Sequence, residues 1–104
     1  MDPVASFTFE TFEHRRGERF AVRETDTDLV LVLEAATDSG RPGATLMADG
    51  SVRSQFSLIF RGPGDRPLAQ AMYELSHDEL GDFVLFLVPV GADAEGYRYE
   101  AVFT

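Results

Sequence analysis

His77, Asp78 and Glu79 stand in a row within "SHDEL", three side chains that bind metals or move protons wherever they converge. Convergence is the difficulty. Adjacent residues on a strand or turn point in different directions, so one ion needs a further ligand from elsewhere, and none is marked. Ser76, His77 and Asp78 fail as a nucleophilic triad for the same reason, because those roles belong to neighbours in space. A solvated turn is the expectation here, with Gln70 and His77 placed to hydrogen-bond loop backbone at a barrel rim.

"ETDTD" sets Glu24, Asp26 and Asp28 at alternate positions, as in calcium loops. It lacks the central glycine and the distal bidentate glutamate of an EF-hand, so a strand-to-strand turn is expected. "RGPGDRP", Arg61 to Pro67, imitates a phosphate cradle but has neither a lysine nor a following helix. It reads as a tight loop whose two prolines limit its freedom. No pair of carboxylates can be placed across a cleft. No catalytic residue, metal or cofactor is assigned, and the chain reads as a non-enzyme.

The elements that must carry these residues are mostly strands. The chain has 104 residues, 44% hydrophobic, with nine Phe and three Tyr, enough for one domain spanning residues 1–104 with a modest core. Without cysteine, disulfides and thiolate metal sites are excluded. Net charge is −9 and every basic residue is arginine, so a phosphate backbone is repelled and nucleic acid is not an expected partner. The longest apolar run, Phe83 to Val90, is far short of the roughly 20 residues of a spanning helix. Residues 1–10 lack the pattern of a signal peptide, which makes the cytoplasm the default location and a membrane no partner.

"TFETFEHRRG", Thr8 to Gly17, reads as a short helix capped by Thr8 and ended by Gly17, with Phe9 and Phe12 on one face. A strand is the rival, since Phe7 and Phe9 also fit a period of two. Six strand-like runs follow: "RFAVRE", "LVLVLE", "FSLIF", "AMYEL", "FVLFLVPV" and "YRYEAVF". They suggest an all-β fold with one short N-terminal helix, a small antiparallel six-stranded barrel or sandwich. Its inward faces are Phe20 and Val22; Phe56, Leu58 and Phe60; Ala71, Tyr73 and Leu75; and Tyr97, Tyr99, Ala101 and Phe103. Thr37 to Gln55, with little periodicity and several Gly/Pro positions, reads as a long mobile connection.

"FSLIFRGP", "LAQAMYELSHDELG", "LFLVPVG" and "YEAVF", with a weaker "TFE…GERF" at Thr11 to Phe20, resemble the pattern of a family of small bacterial domains of unknown function. The resemblance implies company with phage-tail-collar-like fibre proteins. It implies no activity, and no functional residue carries over.

"FVLFLVPV" and "LVLVL" are apolar on both faces, whereas a strand with one face on a core should alternate. If Phe83, Leu85 and Leu87 point inward, then Val84, Phe86 and Val88 need cover, and so do Val30 and Val32. Pro89 lacks a ladder donor and belongs near a strand end or edge. Three readings follow. The helix and the long connection cover this surface; or it docks a protein partner or a second copy; or the strands surround a ligand pocket and the chain is a small carrier or enzyme. Docking is the preferred reading, with Val84, Phe86, Val88, Val30 and Val32 as the candidate interface.

Overall fold

The computed structural model describes residues 3–23 and 29–104. Glu24, Asp26 and Asp28, with their calcium-like spacing, lie outside the described residues. Six strands form: β1 Arg19–Val22, β2 Leu29–Leu46, β3 Val52–Gly62, β4 Ala71–His77, β5 Gly81–Asp93 and β6 Gly96–Phe103. All pairs are antiparallel, and the sheet closes on itself in the order β1-β2-β3-β6-β5-β4. The closing seam sets Ala21 opposite Ser76 and Val22 opposite Leu75. The six expected runs are the six strands, and the barrel alternative holds.

Alternation sends one face of every strand into the ring. Phe20 and Val22, Leu29, Leu31 and Leu33, Phe56, Leu58 and Phe60, Phe83, Leu85 and Leu87, and Tyr99, Ala101 and Phe103 are all buried. β4 contributes Leu75 and then His77, with Tyr73 packed partly against the core. A closed ring this small is filled by its own side chains. Tyr99 is tied down as well: its hydroxyl accepts the Leu68 amide at 2.8 Å, although burial still pushes the phenol above its ordinary value.

The helix is shorter than expected. α1 spans Phe9–Glu13 after a 3-10 turn at Pro3–Ser6, and Thr8 caps it, its amide donating to Thr11 Oγ1 at 3.0 Å. Arg15 and Gly17 belong to the following turn: Arg15 Nε reaches back to the Thr11 carbonyl at 2.9 Å, and Gly17 takes φ +87°. The helix does not cover the outer faces of the two-sided strands. It sends Phe12 into the barrel end, fully buried, with ring centroids 6.1 Å from Phe56, 5.8 Å from Phe103 and 5.4 Å from Phe7. An end plug is the better use of five residues. A helix that short is about 8 Å long, enough to close a barrel mouth but not to shield a strand.

The connection expected from Thr37 to Gln55 is instead the outer part of a β2–β3 hairpin, paired at Asp38↔Phe56, Pro42↔Ser54 and Leu46↔Val52. Three register shifts in β2 explain why no alternation announces it. A straight strand of 18 residues would span about 60 Å, yet the longest dimension of the molecule is 43 Å, so β2 must coil. It coils over the barrel end, where the amides of Ala44 and Thr45 donate to the Thr104 carbonyl. A Cβ at Gly43 would collide with the carbonyl oxygens of Thr104 and Arg53, so this crossing needs glycine.

Phe12→Ala is expected to cost about 3–5 kcal/mol, the range for emptying a buried aromatic site. Urea unfolding followed by near-ultraviolet circular dichroism checks it, and a loss under about 1 kcal/mol would mean that α1 does not plug the ring.

Candidate functional site

The "SHDEL" cluster does not converge on an ion. His77 ends β4 facing inward, 7% exposed, its ring 4.6 Å from that of Phe20. Its Nδ1 accepts the amides of Glu79 and Leu80 at 3.1 and 3.2 Å, and Nε2 lies 2.7 Å from Glu18 Oε1. Both amides need Nδ1 as an acceptor, so the ring proton sits on Nε2 and is donated to Glu18. His77 therefore caps the β4–β5 turn as a buried residue, where a solvated turn was expected. The hydrogen bonding to loop backbone is as expected. Asp78 and Glu79 stay exposed, and Glu79 turns to Arg15 at 3.2 Å.

Glu18 joins the two sides of this rim. It accepts from His77 and, at 3.2 Å, from Arg15. Burial alone would raise its carboxyl; the hydrogen bonds from His77 and Arg15 outweigh that and hold it below its ordinary 4.5. The arrangement ties the β4–β5 turn to the start of β1 at a barrel mouth. No group of His, Asp or Glu among the described residues is arranged to hold a metal ion.

Arg53 was not singled out in the sequence. It is 7% exposed, its guanidinium 5.9 Å from the Phe56 ring centroid and 5.4 Å from that of Phe103. Nη1 donates to the carbonyls of Val4 and Phe7 at 2.8 and 2.9 Å, and Nη2 to Thr45 Oγ1 at 3.1 Å. One side chain thus pins the N-terminal turn, the outer part of the β2–β3 hairpin and the aromatic plug together. Burial pushes the guanidinium below its ordinary value, and its Nε has no hydrogen-bond partner among the described residues. A lone arginine beside a serine gives no periodic signal, which is why sequence reasoning passed over it.

A surface depression of about 510 Å³ lies between the N-terminal turn and the tip of the β2–β3 hairpin, lined by Ala5, Thr8, Leu46 and Met47 among others.

The candidate interface divides. Val84, Phe86 and Val88 share the outer face of β5, as expected, and Phe86 is 45% exposed. Val30 and Val32 lie on β2, three strands away in either direction around a six-stranded ring. They sit half-buried between Ala21, Arg19 and Arg61 and cannot join the β5 residues in one surface. Closure is the reason: β6 inserts between β3 and β5, which sequence order does not reveal.

The ring instead gives β5 other neighbours. Met72 of β4 stands opposite Phe86, and it is 55% exposed. On β6, Glu100 stands opposite Val88, and Val102, two residues on along the same face, is 61% exposed. Val90, at the bulge between Pro89 and Gly91, is also exposed. Pro89 lies beyond the last β4 pair, Ala71↔Leu87, where β5 has β6 alone beside it, so its missing donor is tolerated as expected. Among the described residues, five of the seven exposed large apolar side chains, Met72, Val84, Phe86, Val90 and Val102, therefore fall on the outer face of β4, β5 and β6.

Residues 7–103 match the family described as Domain of unknown function (DUF6916). No curated protein and no solved structure matches the chain.

Two substitutions probe the rim. His77→Ala strands two turn amides and is expected to cost about 1–3 kcal/mol in urea unfolding. Glu18's depressed carboxyl contributes stability that is present above about pH 4.5 and is lost as pH falls through its lower folded value. Glu18→Gln should then lose less stability than the native chain between about pH 5 and pH 3. Equal losses would show that the carboxylate contributes nothing.

Proposed function

We propose, for a chain that belongs to the DUF6916 family of domains of unknown function, a non-enzymatic role as a protein-docking module. One observation carries this reading. An apolar surface built from Met72, Val84, Phe86, Val90 and Val102 stays in solvent although the barrel has already filled its interior. Contiguous exposed apolar surface on a small domain marks a contact with another molecule.

Two features support docking over a carrier or an enzyme. The inward faces of all six strands are occupied by packed side chains, so the ring encloses aromatic rings where a carrier encloses its ligand. The titratable cluster at the rim, His77, Glu18, Arg15 and Glu79, spends its hydrogen bonds on its own turns. The resemblance to domains that accompany phage-tail-collar-like fibre proteins makes such a fibre protein the first partner to test. We read the module as an accessory of that kind of assembly.

Light scattering on the chain mixed with the products of neighbouring genes, the fibre protein first, tests the reading. A complex is expected with the native chain. Phe86→Asp should abolish it while the variant keeps its circular dichroism and cooperative unfolding, since an aspartate on an exposed face stays hydrated. A complex untouched by Phe86→Asp, or no complex with any of these proteins, would overturn the docking role.

A further inference from the structure

Resting on the docking reading, we infer that the β4–β5–β6 face takes a different protein that presents an arginine or lysine among apolar side chains, and that Glu100 receives that cation. Glu100 lies within the apolar surface. It stands opposite Val88 on one side and Ile59 on the other, with Val102 next on its own face. Among the described residues it has no ion-pair partner, because the cations beside it are already held. Arg98 is bound to Glu34 at 2.7 Å and to both Asp93 oxygens at 3.2 Å. Arg61 lies 3.6 Å from Glu34 and 3.7 Å from Glu95.

An occupant that covers Phe86, Val88 and Val102 also dehydrates the Glu100 carboxylate. A purely apolar occupant would bury that charge unpaired, which is heavily unfavourable. A second copy fails for a related reason. Two-fold docking sets the same patch against itself, so the interface would bury two Glu100 carboxylates and no cation from the patch, between two chains of net charge −9. A cation amid apolar side chains satisfies both the carboxylate and the surface around it, through a charge-assisted hydrogen bond.

The test uses the whole chain with isotope labels and two short acetylated peptides of alternating leucine and threonine, identical except for a central arginine or glutamate. The arginine peptide is expected to shift resonances of Met72, Phe86, Val88, Glu100 and Val102, and to bind roughly tenfold tighter than its glutamate counterpart. Glu100→Gln, conservative and half-exposed, should keep the fold and erase that preference. Equal affinity of the two peptides, a preference that survives Glu100→Gln, or no shifts on this face would each overturn the inference. Sedimentation of the chain alone separates the two levels of the argument. A dimer broken by Phe86→Asp would overturn the basic partner while leaving docking intact. A monomer that also forms no complex with neighbouring gene products loses both.

Discussion

Closure of six strands into a ring governs the rest of this structure. Once the seam between β1 and β4 is made, each of the six strands has a neighbour on both sides, and the space inside is set by strand number. Two rings reach that space from outside the strands, Phe7 and Phe12 of the N-terminal segment, and His77 extends the inward face of β4 at its end. The interior then has no room for the second apolar face of β5. Val84 and Phe86 are outside because Phe83, Leu85 and Leu87 are inside.

One barrel mouth, where β1, β3 and β5 begin and β4 and β6 end, is closed by two kinds of chemistry. On its β3–β6 side, Arg53 lies against the Phe56 and Phe103 rings, themselves stacked 4.3 Å apart, and holds backbone carbonyls of the N-terminal segment. On its β1–β4 side, His77 caps a turn and donates to Glu18. Both depend on polar atoms buried in defined geometry, where losing one partner costs more than the bond contributes. They explain why His77 and Arg53 are buried with their hydrogen bonds directed at the chain's own backbone.

Much of the fold is legible from period-two alternation: β1, β3, β4 and β6 show their inward residues directly, and Phe56, Leu58 and Phe60 are where alternation places them. β2 beyond Leu33 is not legible, because each register shift resets the phase and leaves Ala36, rather than Ala35, packed on the core. Nor is the extent of the candidate surface. Alternation correctly puts Val30 and Val32 outside, but which strands become neighbours depends on β6 entering between β3 and β5. That step is set by long-range packing. For the same reason Met72, Val102 and Glu100, which complete the surface, carry no local mark that links them to Phe86.

The central claim is that β5 has one face in the barrel and the other in solvent, continuous with the outer faces of β4 and β6. Broadening of methyl resonances by a soluble gadolinium chelate measures this directly in the isolated chain. The account requires strong broadening at Met72, Val84, Val88 and Val102, and little at Leu85, Leu87 and Ala101. Equal protection of both sets would show that something in the chain already covers this face, and the docking surface would not exist.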